Sequence, residues 1–323
     1  MRKTAPLAAC VAAAAVALCF LAISGAWSQP ARTIKIIVPY PPGGGADVLA
    51  RVLANEIGNM HGPTMVVENR PGAGTMIGTE DVVRATPDGN TLLLSNNALL
   101  LVPHLRKLDF DPLSSLEPIC SVASTPMIAI VNSESPYHTL DDLLSAARAK
   151  PGALTFGASI GALSHVTYEM LLHRANLRMT LVPYTGTPPE VDAVLGGHID
   201  TAFVDYPPAA GLLQSGKLRA LATGSRARVD WLPDVPTVSE LGYKDFEIEL
   251  WYGVFAPAHT PQQTVSKFAE WFANAAQVPQ ARSRLLTQGI DTSAVCGAAF
   301  ASDLHKRFDE YGSVIHDANI KAE

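Results

Sequence analysis

The feature that most constrains this chain is an alternation of strand-like and helix-like segments that occurs twice in the same order. The first block predicts a strand at 34–38, a helix at 46–57, a strand at 64–68, a helix at 76–85 and a strand at 91–94. The second block predicts a strand at 154–156, a helix at 164–173, a strand at 180–183, a helix at 188–195 and a strand at 201–204. Such alternation is typical of parallel sheets flanked by helices. The sequence therefore predicts an α/β fold with two similar lobes, each a mostly parallel sheet flanked by helices.

Two apolar segments predict where the chain crosses between the lobes. Residues 127–131 leave the first block, and residues 246–255 return towards it. The predicted boundaries follow: lobe 1 at 29–130 plus 252–323, lobe 2 at 131–251, and a hinge near 127–132 and 247–254. Such a hinge needs only a few residues to absorb a closure angle.

The N-terminal residues have the three-part pattern of a secretory signal peptide. Two basic residues precede an apolar stretch at 7–23, and Ala26 and Ser28 supply the small residues of a cleavage site. The apolar stretch is shorter than the roughly 20 residues of a membrane-spanning helix. We therefore expect residues 1–28 to be a signal peptide and the mature protein to reside in the periplasm.

Composition argues against several kinds of partner. The net charge is −6 at pH 7 and basic residues are not clustered, so we expect no nucleic-acid binding. The histidines lack metal-ligand spacing, and we expect no metal and no other cofactor. Outside the signal peptide the cysteines are Cys120 and Cys296. Their spacing leaves a disulfide open, but two separate buried thiols are the favoured interpretation.

Topology predicts which loops form a site. In open α/β sheets, ligands bind beyond the carboxyl ends of the strands, where the strand order reverses. If each lobe has the order 2-1-3, that position lies between its first and third strands. The selected loops are Tyr40–Gly45 and Ser95–Asn97 in lobe 1, and Gly157–Ser164 and Asp205–Pro208 in lobe 2.

These loops carry chemistry suited to an anionic ligand. Glycines at 43–45 and at 157 and 161 let backbone N–H groups approach a ligand without obstruction by Cβ. The helices that follow direct their free amides and positive dipole ends to the same cleft. His165 is either a capping histidine or a donor to the ligand, and both interpretations stay open. The predicted ligand-binding residues are Tyr40, Pro42, Gly43, Gly44, Asp47, Ser95, Asn96, Asn97, Ala158, Ser159, Gly161, Ser164, His165 and Asp205.

A second class of function competes with this one. Residues 157–161 read Gly-x-Ser-x-Gly between a strand and a helix, the pattern of an esterase whose nucleophile would be Ser159. Asp205 or Asp230 with His259 or His305 would complete the triad in the required order. However, Ala162 and Leu163 intervene before the helix, unlike in a sharp nucleophile elbow, so a secreted esterase is the less favoured alternative.

A series of motifs in fixed order resembles the extracytoplasmic receptors of tripartite tricarboxylate transporters, the Bug family of solute-binding proteins. The motifs include "IVPYPPGGGADVLAR", "VVENRPGAGTMIG", "GALSHVTYEML", "VPYTGTPPEVDAVLGGHIDTAFVD" and "WYGVFAPAHTP". The resemblance implies a non-catalytic type II periplasmic-binding-protein fold that closes on a carboxylate. It places that carboxylate on the loops 40–45 and 157–165, partly through ordered water. It also implies a two-subunit membrane permease as partner.

The sequence departs from the family at two places that concern the ligand. Thr75 stands where the family commonly has glycine, and residues 157–159 are an altered form of the second loop. A buried Asp205 that faced a second carboxylate would be costly unless it were paired or protonated. We therefore expect a small carboxylic acid that also carries an amine, amide or hydroxyl, rather than citrate. Nothing in the sequence demands self-association, and a monomer is expected.

Overall fold

The computed structural model describes residues 33–321. The predicted signal peptide, residues 1–28, lies outside the described residues. In chain order the strands are β1 (Thr33–Val38), β2 (Thr64–Asn69), β3 (Thr91–Asn96), β4 (Leu116–Asn132), β5 (Thr155–Ala158), β6 (Thr180–Pro183), β7 (Thr201–Asp205), β8 (Leu218–Thr223), β9 (Glu249–Pro257) and β10 (Asp291–Cys296).

Helices cover these strands and connect them. In chain order they are α1 (Gly45–His61), α2 (Met76–Val83), α3 (Ala98–Leu105), α4 (Pro112–Ser115), α5 (Leu140–Ala149), α6 (Leu163–Ala175), α7 (Thr187–Leu195), α8 (Tyr206–Gln214), α9 (Gln262–Ala276), α10 (Pro279–Leu286) and α11 (Ala298–Asp317). No helix within residues 33–321 is both long enough and apolar enough to cross a membrane.

Each predicted block forms a parallel unit with the predicted strand order. In the first unit, β1 lies between β2 and β3 and pairs with both in parallel. In the second, β5 lies between β6 and β7 and pairs with both in parallel. The predicted alternation and the order 2-1-3 are therefore confirmed in both units. A mixed α/β fold with a central sheet flanked by helices is the result.

Antiparallel strands complete the sheet around these units. The order is β2-β1-β3-β9-β4-β7-β5-β6, and β8 and β10 also pair with β4. We call β2, β1, β3, β9, β10 and the first part of β4 the first half-sheet. The last part of β4 with β7, β5, β6 and β8 forms the second half-sheet.

Strand β4 is the element that belongs to both half-sheets. From Leu116 to Pro126 it pairs with β9, and from Met127 to Asn132 it pairs with β7 and β8. Of strand β4, the sequence predicted only the apolar segment 127–131, as one of the two crossings between the lobes. The structure extends the same strand back to Leu116, through a part of the chain for which no strand was predicted.

Helix α1 shows why the first predicted helix forms. Leu49, Leu53 and Ile57 recur at helical spacing, and all three are fully buried against the sheet. The helix continues beyond its predicted end at 57. It ends before Gly62, which has a left-handed backbone with φ of 82° and donates its N–H to the Gly58 carbonyl at 3.0 Å.

The structure joins Cys120 on β4 to Cys296 on β10 in a disulfide bond. The two residues lie opposite each other in the antiparallel ladder of these strands. The interpretation of two separate thiols is therefore wrong. A spacing of 176 residues carried no local signal, because the cysteines meet only through the pairing of β10 with β4.

Candidate functional site

The candidate site lies where the strand order reverses in both half-sheets. The loops after β1 and β3 belong to the first half-sheet, and the loops after β5 and β7 belong to the second. The Tyr40 hydroxyl lies 3.5 Å from the Ser95 hydroxyl, which links the two first-half-sheet loops. Burial raises the pKa of Tyr40, so this phenol stays protonated and keeps a proton to donate.

The glycine loop leaves backbone amides available at the start of α1. The first helical hydrogen bond joins the Val48 N–H to the Gly44 carbonyl at 3.0 Å, so the amides of Gly45 and Ala46 precede it. Pro42, Gly43 and Gly44 are exposed. Gly43 has a φ of 85°, a left-handed conformation that a side chain would strain. The loop thus offers donors at a positive helix end.

Asp47 shapes this loop through contacts within the protein. Its buried carboxylate accepts a hydrogen bond from the Gly43 N–H at 3.0 Å and pairs with Arg51 at 2.9 Å. Burial acts to raise the pKa of Asp47, but the hydrogen bonds from Arg51 and Gly43 outweigh it and hold the pKa below its ordinary value. Asp47, predicted to bind ligand, therefore holds the loop through its Oδ2, while its Oδ1 has the ion pair with Arg51 but no hydrogen bond within the described residues.

Asn97 is occupied in the same way, away from the loop surface. Its side chain is fully buried. It donates to the Glu249 carbonyl at 3.1 Å and to the Tyr311 hydroxyl at 2.6 Å, and it accepts from the Trp251 N–H at 3.0 Å. Asn97, for which a ligand role was predicted, ties the end of β3 to β9 and α11 through these contacts. Asn96 likewise uses its side chain locally, on the Ala98 N–H at 3.0 Å.

Tyr252 on β9 is a site residue that the sequence did not single out. A Cβ at Gly45 would lie 2.6 Å from its hydroxyl, so that glycine gives the phenol its space beside α1. Burial raises the pKa of Tyr252 well above its ordinary value, and the charge of Asp205 raises it further. Tyr252 therefore lies within electrostatic reach of the second half-sheet.

The loop after β5 has a carboxyl group behind it that was also not predicted. Glu190, in the first turn of α7, is fully buried. The hydroxyls of Ser159 and Ser164 donate to its Oε1 at 3.0 and 3.3 Å. Burial raises the pKa of Glu190 to about 7, and the charge of Asp205 adds to that rise. Ala158, at the end of β5, is buried and accepts the Tyr184 N–H through its carbonyl at 3.0 Å.

His165 acts within the same loop. Its Nδ1 accepts the Gly161 N–H at 3.2 Å, and its Nε2 lies 3.8 Å from Glu169. Burial lowers the pKa of His165. These contacts correspond to the capping interpretation, because the imidazole fixes the turn at Gly161.

Asp205 stands at the carboxyl end of β7, partly buried. Its Oδ1 accepts a hydrogen bond from the Thr187 hydroxyl at 2.6 Å. Burial raises the pKa of Asp205, which the hydrogen bond from Thr187 partly offsets. Thr187 and Glu190 lie one turn apart on α7, so the carboxyl groups of Asp205 and Glu190 occupy one end of the cleft.

The two half-sheets meet across this cleft. A Cβ at Gly161 would lie 2.5 Å from the Leu105 side chain of α3, and a Cβ at Gly289 would collide with the Tyr206 ring at the start of α8. These glycines allow the facing loops to approach closely. The facing loops carry amide and phenol donors on the first side and carboxyl acceptors on the second.

The contacts of Ser159 do not form a nucleophile–base pair. Its hydroxyl donates to Glu190, and the nearest loop imidazole, His165, bonds to a backbone amide. Of the predicted site residues, the structure brings together Tyr40 with Ser95, Ser159 with Ser164, and Gly161 with His165. Within residues 33–321 no three His, Cys, Asp or Glu side chains are grouped to hold a metal ion.

Comparisons with known proteins agree with this architecture. The family model described as the tripartite tricarboxylate transporter family receptor matches residues 49–320. Protein BugT of Bordetella pertussis is 36% identical over 242 residues, which cover 74% of each chain. The solved structure of the periplasmic binding protein BugD is 31% identical, with a TM-score of 0.81, and the match covers 91% of this chain and 100% of BugD.

A solved structure with a ligand is also similar. The R. palustris protein Rpa4515, determined with adipate, is 26% identical, with a TM-score of 0.83. The match covers 91% of this chain and 99% of that protein. Adipate is a small dicarboxylate, so at least one protein with this fold binds a ligand of the class for which the α1 amides are suited.

Proposed function

This chain belongs to the tripartite tricarboxylate transporter receptor family, and on that premise we propose that it is a periplasmic receptor for a small carboxylate. The observation that carries the proposal is the pair of reversal points that face each other, one with free α1 amides and the other with the Ser159 loop. Binding energy comes from enclosing the ligand between them. The chain catalyses no reaction on its ligand.

Closure requires the half-sheets to move as lobes. We assign lobe 1 to 29–130 plus 252–323 and lobe 2 to 131–251, with the hinge near 127–132 and 247–254. The change of β4 from pairing with β9 to pairing with β7 within this interval supports the assignment. Both crossings are strands, so a few backbone angles in each can absorb the closure.

The ligand carboxylate binds at lobe 1, on the amides of Gly45 and Ala46. The phenols of Tyr40 and Tyr252 lie beside these amides and remain protonated at neutral pH. Donors around a positive helix end stabilise a carboxylate more than a neutral group of the same shape. An amine, amide or hydroxyl elsewhere on the ligand meets the acceptors of lobe 2.

The partner of the closed receptor is a two-subunit membrane permease of the tripartite tricarboxylate type. Exposed faces of both lobes form the contact, because only a surface that spans both changes on closure. We expect the receptor to be a monomer, exported by the signal peptide at residues 1–28.

Identification of the bound molecule tests the proposal. Protein isolated from the periplasm is denatured, and the released small molecules are identified by mass spectrometry. Calorimetry then compares the identified carboxylate with its primary amide. We expect a carboxylate to be recovered and its amide to bind at least about tenfold more weakly, as for loss of a charge-assisted hydrogen bond.

The rival function makes the opposite prediction. An esterase would label stoichiometrically at Ser159 with an active-serine reagent and lose ester hydrolysis as a result. That outcome, or a carboxylate panel that produces no thermal shift with folded protein, would overturn the receptor assignment.

A further inference from the structure

The carboxyl group of Glu190 has an unusual set of contacts for a buried side chain. Its Oε1 accepts two hydroxyl hydrogen bonds, from Ser159 and Ser164. Its Oε2 is equally buried but makes no hydrogen bond within residues 33–321. A buried carboxyl oxygen without a partner is costly, so sites of this kind call for an explanation. The unpaired Oε2 has acceptor capacity for a group that is absent from the protein itself.

The serine contacts fix the polarity of this end of the cleft. Ser159 and Ser164 each have a single hydroxyl proton, and both protons point to Glu190. The Ser164 oxygen also accepts the Ser159 backbone N–H at 3.3 Å. A loop that would otherwise offer two hydroxyl donors to an anion therefore has both of these protons committed to Glu190.

Asp205 adds a second acceptor that is not neutralised by a cation. Its charge contributes to raising the pKa of Glu190, which places the two carboxyl groups within electrostatic reach of each other. None of the ion pairs in the described part of the chain involves Glu190 or Asp205. A ligand carboxylate at this end would make ionisation of both carboxyl groups still less favourable, whereas an ammonium group would stabilise their ionised forms.

We propose that Glu190 is the specificity-determining residue of this cleft and selects a ligand that carries an ammonium group as well as a carboxylate. The ammonium group binds between Glu190 and Asp205, and the carboxylate binds the α1 amides across the cleft. This inference rests on the proposed receptor function and names the ligand class of the same site. An alkylammonium has three donors, which match the carboxyl oxygens that Glu190 and Asp205 present.

The elements packed around α7 supply no competing cation. Strand β5 and helix α8 have no charged residue, and β7 contributes Asp205 alone. Helix α6, beyond the serines, contributes His165 and Glu169 near the loop. Burial lowers the pKa of His165, so its imidazole is neutral at neutral pH. The ligand is therefore the source of positive charge at this end.

Matched pairs of small molecules test the proposal. Calorimetry on the full mature protein compares β-alanine with propionate, 4-aminobutyrate with butyrate, and L-aspartate with succinate. We expect at least one ammonium compound to bind at least about tenfold more tightly than its amine-free partner. If amine-free partners bind as tightly or more tightly in every pair, the proposal is wrong while the receptor function stands. If no compound of either kind binds to folded protein, both fall.

A variant tests the residue itself. Glu190→Gln keeps the shape and one acceptor for both serine hydroxyls but removes the charge. We expect it to weaken the ammonium compound at least about tenfold and its amine-free partner less than threefold. Asp192→Asn, an exposed position on the same helix, is the matched control and leaves both affinities unchanged. Equal weakening of both partners by Glu190→Gln would overturn the assignment.

The sign of proton exchange gives a readout that does not depend on any variant's stability. An ammonium group beside Glu190 and Asp205 lowers the pKa of both, so binding at pH 7 releases protons into the buffer. A second carboxylate on the ligand would instead raise the pKa of both carboxyl groups, so binding would take protons up from the buffer. Phosphate and Tris differ in ionisation enthalpy, so calorimetry in both buffers distinguishes proton release from proton uptake. Proton uptake on binding of the tightest ligand would overturn the proposal.

Discussion

At the scale of single residues, the loop on which a residue lies was easier to predict than the hydrogen bonds that its side chain makes. The rule that ligands bind where the strand order reverses selected the loops that carry Ser159, Ser164 and Asp205. In the structure all three residues interact with Glu190. Glu190 was not found because it follows β6, whose loop the rule does not select. The sequence also selected Asp47 and Asn97 as site residues. It cannot show that Asp47 contacts Arg51 and Gly43, or that Asn97 contacts β9 and α11.

The pH dependence of stability should depend on Glu190. Burial raises its folded pKa to about 7 from an unfolded value of 4.5. The native state therefore binds more protons between these values, and stability falls as pH rises through this window. We expect Glu190→Gln to flatten the fall between pH 5 and 8, with a gain on the order of 3 kcal/mol at pH 8 as an upper bound. Parallel profiles for variant and wild type in thermal unfolding would contradict this.

Asn97 should matter for stability, and its neighbour much less. Asn97→Ala leaves the Trp251 N–H, the Tyr311 hydroxyl and the Glu249 carbonyl without their buried partner. We expect a loss of about 2–4 kcal/mol in the free energy of unfolding, measured by urea denaturation. Asn96→Ala removes one local hydrogen bond and is the control, for which about 1 kcal/mol is expected. Equal losses of unfolding free energy in the two variants would show that the buried hydrogen bonds of Asn97 contribute no more to stability than the local one of Asn96.

At the scale of elements, the alternation of strand-like and helix-like segments predicted the two parallel units. It did not predict the antiparallel strands that complete the sheet. Strands such as β1 and β5 alternate with helices, so their spacing gives both identity and order. Strands β9 and β10 return from distant sequence to pair with β3 and β4. The spacing of apolar residues within a segment does not show which distant strand that segment will pair with. The sequence predicted only residues 127–131 of the long β4. The strand continues through Pro118 and Pro126, and strands can retain proline where no ladder hydrogen bond is required.

The disulfide should stabilise the lobe that holds it without shaping the ligand site. Cys120 and Cys296 close a loop of 176 residues, which in the chain-entropy account is worth about 3–5 kcal/mol. We expect the double replacement by alanine to lower the free energy of unfolding by about that amount. Ligand affinity should be retained, since Cys120 lies within β4 and Cys296 at the end of β10, and neither belongs to a cleft loop. Unchanged stability under reducing conditions would argue against a role for the bond.

At the scale of the whole molecule, the close approach of the two half-sheets depends on glycines that face the opposite half-sheet. Gly161 lies against Leu105, and Gly289 lies against Tyr206. Both have a left-handed backbone, so glycine is required twice: for its φ and for the space that a Cβ would fill. Sequence analysis recognised the first as a loop glycine but gave no reason to examine the second.

Gly289→Ala should impair closure rather than folding alone. Alanine strains the left-handed φ of 69°, and in the arrangement of the half-sheets seen here its Cβ also meets the Tyr206 ring. Gly216→Ala, at φ 70° with open space around it, isolates the strain. We expect both variants to lose about 1–2 kcal/mol of stability. Only Gly289→Ala should bind its carboxylate at least about tenfold more weakly and show a larger radius of gyration by X-ray scattering.

The strand order also decides when this chain can begin to fold. Strand β3 gains its neighbour on one side only when β9 arrives, since Leu93 pairs with Phe255. At ribosomal rates of about 5–20 residues per second, that neighbour is made on the order of ten seconds after β3. Until then the early sheet has an open edge, and contacts this distant in sequence form slowly. Under the proposed export of this chain, such a delay means that the sheet cannot be completed until most of the polypeptide has been made.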